Sequence, residues 1–147
     1  MENFTNNFLI SMPHLNDSVF GKSLIYLCDH NVDGAMGIII NKPMPSENVQ
    51  NILTEIGLEQ LKPKVEVYFG GPVQIGMGMI LHDHKYKTKG TINISKSISL
   101  SSNTNIINDI CNGNGPNKFK IALGYAGWDK GQLERELENG DWLIVPS

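Results

Sequence analysis

A chain of 147 residues, 40% hydrophobic and 18% charged, has the length and composition of one folded domain, not of a disordered segment. A formal charge of −3 and a pI near 5.7 supply no positive field to draw in nucleic acid or an anionic membrane. Two cysteines are too few for a disulfide framework and have no zinc-ribbon spacing.

The opening "MENFTNNFLISMPH" has no basic region ahead of a long apolar stretch, and no segment approaches 18 consecutive apolar residues. The expectation is a cytoplasmic protein with reduced thiols and no membrane partner.

Strands come first. "FLISM" (8–12) stops at Pro13. "LIYLC" (24–28) and "MGIII" (36–40) flank "HNVDG", where Asp33-Gly34 suits the positive φ of a tight hairpin. Ile38, Ile39 and Ile40 in a row predict a strand covered on both faces. The period then changes: Val49, Ile52, Leu53 and Ile56 recur at i, i+3, i+4 and i+7, with Ser46 as N-cap, Gly57 as the left-handed residue after the helix and Leu58 closing the cap. "VEVYF" (65–69) runs into Gly70-Gly71-Pro72, with "MGMIL" (77–81) as its partner strand.

"TINI" and "SISL" read as short strands. A second helical stripe runs through Ile106, Ile107, Ile110 and Cys111, which makes Cys111 a core residue, and "CNGNGPNK" (111–118) is a loop. "FKIALGY" is a buried strand. "WDKGQLERELENG" predicts a helix capped by Asp129, with Gln132 as capping-box partner, Leu133 and Leu137 inward and a Lys130–Glu134 pair outside. "DWLIV" closes the chain. More strands than helices, with hairpins and little strand–helix alternation, predict a single α+β domain around a mixed sheet.

Strand alternation places Tyr26, Cys28 and His30 on one face and Leu27 and Asp29 on the other, with Cα atoms two residues apart at about 6.6–6.8 Å. A cationic imidazole lowers a thiol's pKa, so Cys28 with His30 is the candidate pair for a thiol-dependent enzyme or redox sensor. The plainer reading makes Cys28 a small buried hydrophobe. No metal or cofactor is expected, because Cys28, His30, His82 and His84 lack ligand spacing. "GGPVQIGMG" does not end in Lys-Ser or Lys-Thr, so it is no P-loop. "GYAGWDKGQ" could aim amides at an anion, but a tight turn under Trp128 explains it better.

Four blocks stand together in this order: "FLISMPHLNDSVFGKSLIYLCDHNVDGAMGIIINKP", "YFGGPVQIGMGMILH", "INISKSISLSS" and "IALGYAGWDKGQLERELENGDWLIVP". The combination, from about Phe8 to Pro146, resembles the AlgH/YqgE family of bacterial proteins. The resemblance implies a mostly antiparallel mixed sheet bent into a pseudo-barrel with about three packed helices. It carries motif positions and no catalytic roles. Those taken as ligand- or partner-facing are Asn31, Asn41, Gly70, Gly71, Pro72, His82, Tyr125, Trp128 and Gln132.

Two departures stand out. Relatives place acidic residues and an arginine after Gly-Gly-Pro, where this chain has Gln74-Ile75-Gly76-Met77. The family pattern also continues into a C-terminal helical segment, whereas this chain stops at Ser147, which predicts a homo-oligomer through the uncovered C-terminal side.

The family is labelled as transcriptional regulators. Yet 46–56 carries acid and no base, and 129–138 carries four acids against two bases, so neither helix suits DNA. The expected function is a regulatory protein that binds a small ligand or a protein partner. The alternative is thiol chemistry at Cys28 and His30.

Overall fold

The computed structural model describes residues 3–57 and 66–147. Strands β1 (Asn7–Ser11), β2 (Leu24–Asn31) and β3 (Gly34–Ile39) form an antiparallel meander. In the β2–β3 turn the positive φ falls at Gly34 (+141°), whose Cα sits so close to the Trp128 carbonyl that an added Cβ would lie 2.3 Å from its oxygen.

Helix α1 (Ser46–Glu55) follows, then β4 (Val67–Phe69), β5 (Val73–Asp83), β6 (Ile92–Asn93) and β7 (Ile98–Ser101). Helix α2 (Thr104–Cys111), β8 (Phe119–Trp128), α3 (Gln132–Glu138) and β9 (Trp142–Pro146) complete the chain.

Among the described residues, nine mostly antiparallel strands make one curled, half-barrel sheet in the order β6-β7-β5-β8-β3-β2-β1-β9, with β4 added parallel to β8. The long strand β8 joins the halves: residues 119–125 pair with β5, and 126–128 pair with β3. The expectation that "MGMIL" pairs with "VEVYF" is corrected: β4 and β5 are not partners of each other. Each pairs with β8, because Gly70-Gly71 carries the chain across that strand instead of turning it back. An added Cβ would lie 2.4 Å from the Gly124 oxygen at Gly70 and 2.1 Å from the Tyr125 carbonyl carbon at Gly71, so only glycine permits the crossing.

Two helix starts differ from the sequence reading. Pro45 is the N-cap of α1 and Ser46 the first helical residue: the proline's φ of −55° suits a helix, but its ψ of 136° is extended and sets the boundary. Gly57 does take the left-handed position (φ +88°). The parts assigned to Leu58 and Val65 lie outside the described residues. Helix α3 starts at Gln132, with Gly131 (φ +75°) as its N-cap and Asp129 back in a turn. Its end is a Schellman motif: Gly140 N–H bonds the Leu137 carbonyl and Asp141 N–H the Glu136 carbonyl.

Three apolar clusters follow from strand alternation. Val49, Leu53, Ile106 and Ile110 of α1 and α2 pack on Val67, Ile80 and Ile121. Leu133 of α3 packs with Leu9, Ile25, Leu27 and Ile39 on the other half. Tyr26, Cys28, Ile38, Met79, Leu100 and Ala122 fill the inside of the curl. Ile38 and Ile39 thus bury opposite faces of one strand, as their unbroken run predicts.

Candidate functional site

Strand β2 does not alternate all the way to His30. Leu27 pairs with Gly37 and Asp29 with Met36, so Cys28 is the extra residue of a β-bulge. The bulge reverses the parity of everything after it. Cys28 stays with Tyr26 inside the curl, whereas His30, opposite Ala35, falls on the α3 side. The expectation that thiol and imidazole share a face is corrected: one inserted residue separates them.

Each is then committed elsewhere. Cys28 is 2% exposed, its Sγ bonds the Tyr26 carbonyl at 3.6 Å, and burial, with the negative charge of Asp29, pushes its thiol up to about 12. His30 is 1% exposed. Its Nδ1 accepts the Phe4 backbone N–H at 3.0 Å, so Nε2 carries the ring proton and donates it to Glu134 Oε2 at 3.2 Å. The Phe4 ring stacks on the imidazole, 5.5 Å between centroids. His30 therefore pins the N-terminal segment to α3. The predicted Lys130–Glu134 pair gives way to this one, because Lys130 precedes the helix.

Trp128 and Gln132 belong to a second polar cluster that the sequence reading did not find. Trp128 and Trp142 donate their indole N–H groups to Glu136 Oε1, and Gln132 Nε2 donates to Oε2 at 2.8 Å. Gln132 Oε1 also accepts the Asp129 N–H, so its capping-box half forms although Asp129 is not the cap. The i, i+4 spacing of Gln132 and Glu136 next to two tryptophans was the available signal.

Other motif residues hold backbone together. Asn41 accepts the Leu24 N–H at 2.9 Å and donates to the Lys22 carbonyl at 3.0 Å, extending the β2–β3 ladder with its side chain. Buried His82 donates from Nδ1 to the Asp83 carbonyl and accepts at Nε2 from Ser101, whose hydroxyl also meets Thr91 at 2.8 Å. Gly70 and Gly71 serve the strand crossing described above, and Pro72 is exposed just before β5. Asn31 is exposed and closes the hairpin turn by accepting the Asp33 N–H at 2.8 Å.

The open surface lies where β5 breaks from the sheet. Val73 pairs with Tyr125 and Gly78 with Leu123, so Gln74, Ile75, Gly76 and Met77 arch over the single residue Gly124. Gly124 must be glycine: at φ +73° an added Cβ would lie 2.4 Å from the Gly71 oxygen. Under the arch is a groove of about 350 Å³ that continues the interior cluster to the surface, lined chiefly by Met36, Met77, Met79, Ile92, Leu100 and Tyr125, with Gln74 and Ser102 at its polar edge.

A second cavity of about 240 Å³ adjoins it through Met36, with Asp29, Asn31, Asp33 and Trp128 in its wall. Six large apolar side chains are exposed among the described residues. Ile92 lines this groove, Val73 and Ile75 lie on the stretch of β5 that supplies its Gln74 and Met77, and Val32 lies between Asn31 and Asp33 of the second cavity. Of the residues proposed from sequence, the structure brings Tyr125, Trp128 and Asn31 to this surface. It leaves Asn41, His82, Cys28 and His30 elsewhere. The methionines went unnoticed because "MGMIL" reads equally well as an ordinary buried strand. Among the described residues, no group of three or more His, Cys, Asp or Glu side chains could hold a metal ion, and no helix is long and apolar enough to cross a membrane.

Comparison with known proteins agrees with the motif blocks. The family profile described as AlgH-like matches residues 8–147. A UPF0301 protein of Marinomonas sp. (strain MWYL1) is 44% identical over 146 residues, covering 97% of this chain and 77% of the relative. A UPF0301 protein of Rhodospirillum rubrum is 39% identical over 145 residues, covering 97% and 76%.

The solution structure of the AlgH protein from Pseudomonas aeruginosa superposes with a TM-score of 0.80 at 36% identity, covering 99% of this chain and 78% of that one. The crystal structure of a Corynebacterium diphtheriae protein, 20% identical with a TM-score of 0.76 and covering 100% and 78%, shares the fold. By sequence and by fold, the chain belongs to the AlgH-like family.

Proposed function

We propose that this chain works by binding and performs no covalent chemistry of its own: a cytoplasmic regulatory protein whose working surface is the methionine-lined groove beneath the β5 arch. One observation carries the reading. Three methionines, Tyr125 and the exposed Ile92 line one open groove, while the candidate thiol and imidazole are spent inside the fold. Methionine is unbranched and polarizable, so a groove built from it adapts to an apolar occupant. The acidic balance argues against direct DNA contact, so regulation runs through a ligand or a protein. The thiol-enzyme alternative draws no support from a Cys28 on the opposite face from His30.

The test is binding of the neutral dye Nile red, whose emission rises in an apolar site. Wild type should hold the dye saturably. Met77→Lys should weaken it by about tenfold or more, while Met44→Leu, in the α1–α2 cluster, should not. Equal binding by wild type and Met77→Lys would sink the reading.

A further inference from the structure

Resting on the groove reading, we propose that the occupant is a segment of a protein partner in which apolar side chains are followed by a basic one, the apolar residues filling the groove and the basic end lying over Asp29 and Asp33. Three observations define it. First, exposed apolar side chains extend past the cavity: Ile92 in its wall, Val73 and Ile75 along the β5 segment that contributes Gln74 and Met77, and Val32 on the β2–β3 turn, more than a small ligand held within about 350 Å³ would cover. Second, the adjoining cavity, reached across the shared Met36, has two carboxylates in its wall.

Third, that negative charge is uncompensated. Among the described residues the ion pairs are His14–Asp141 and His30–Glu134, so neither Asp29 nor Asp33 has a cationic partner. The Asp29 carboxylate accepts a long hydrogen bond, 3.5 Å, from the Asn31 side-chain amide, which is neutral and leaves its charge in place. The arch itself, Gln74-Ile75-Gly76-Met77, supplies no charge. Selection by sign therefore falls to the β2–β3 turn.

The probes are two short synthetic peptides with leucines at the same helical spacing, one otherwise rich in lysine and one in glutamate. A third probe is the small amphiphile dodecyltrimethylammonium. Anisotropy of dye-labelled peptides should show the leucine–lysine peptide binding about tenfold or more tightly than its glutamate counterpart. The double substitution Asp29→Asn with Asp33→Asn should bring that ratio close to one while Nile red binding persists. Met77→Lys should weaken both peptides.

Equal binding of the two peptides to wild type overturns the proposal, as does a preference that survives the double substitution. Displacement of the peptide by dodecyltrimethylammonium at equal concentration also overturns it, since a small cation would then suffice. If Nile red is held and neither peptide binds, the proposal fails and the groove reading stands. If nothing binds, both fail.

Discussion

Trp128 and Trp142 donate their indole N–H groups to the same oxygen of Glu136, at 3.0 and 2.9 Å, with their rings edge to face 6.0 Å apart. One carboxylate thus ties the last strand, the long strand β8 and helix α3 into a single corner. Glu136→Ala should leave two indole donors in a largely buried site without an acceptor, costing roughly 2–4 kcal/mol. Glu136→Gln, which keeps one acceptor oxygen, should cost less. Urea denaturation followed by tryptophan fluorescence checks both, and equal midpoints for wild type and Glu136→Ala would contradict the assignment.

Two glycines, one just before the arch and one within it, should behave in opposite ways. Gly71 sits at φ +152° with Tyr125 backbone where its Cβ would go, so Gly71→Ala should destabilise by roughly 3 kcal/mol or more. Gly76, at the arch, has nothing within 4 Å and ordinary φ. Gly76→Ala should be neutral or gain about 0.4–1 kcal/mol by restricting the unfolded chain. Thermal melts of the two variants side by side decide this.

A thiol pushed up to about 12 is almost entirely protonated at neutral pH. Cys28 in a Cys111→Ser background should therefore resist iodoacetamide through pH 9. Because His30 lies on the other face, His30→Gln should not lower the Cys28 alkylation rate in the native protein. Rapid alkylation at pH 7 that disappears with His30→Gln would revive the thiol alternative.

Glu134 titrates with the fold. Its own backbone N–H, and then His30, hold its carboxyl below the usual carboxylate range despite the opposing effect of desolvation. A depressed folded value means the stabilisation is fully present above the unfolded value of about 4.3 and is lost as pH falls through the folded one. Wild type should exceed Glu134→Gln in urea midpoint at pH 6–7, and the gap should close in stronger acid. A gap that stays constant down to pH 2.5 would contradict the assignment.

Periodicity in the sequence was enough to place the helical stripes and most strands, because burial on one face writes itself into the order of apolar residues. Val49 and Leu53, Ile106 and Ile110, and Leu133 face the core as their spacing predicts. What escaped is what a period cannot carry. The bulge at Cys28 depends on the strand opposite, and no pattern within "YLCDHN" announces it. The crossing of β4 to β8 depends on Gly70, Gly71 and Gly124 meeting across some fifty residues of chain. Likewise Glu136 looks like one more surface acid until two distant tryptophans converge on it.

The motif positions were legible, and their roles were not. Asn41, His82, His30 and Gln132 resemble site residues in a string of letters because buried polar groups and binding groups use the same side chains. In space Asn41 holds backbone, and His30, His82 and Gln132 bond to Glu134, Ser101 and Glu136, as polar groups in or beside a core must. The methionine groove looks like ordinary core for the converse reason: its residues are apolar, and Met79 and Leu100 are buried, while Met36, Met77 and Ile92 reach the surface.

The central claim, that the groove under the arch is the working surface, is tested most directly by NMR of the protein labelled with ¹³C at its methionine methyl groups, titrated with Nile red and with the leucine–lysine peptide. The account predicts that the Met36, Met77 and Met79 methyls shift together and saturate, while Met12 and Met44 stay where they are. Shifts confined to Met12 or Met44, or none anywhere at millimolar probe, would place the binding surface elsewhere or remove it.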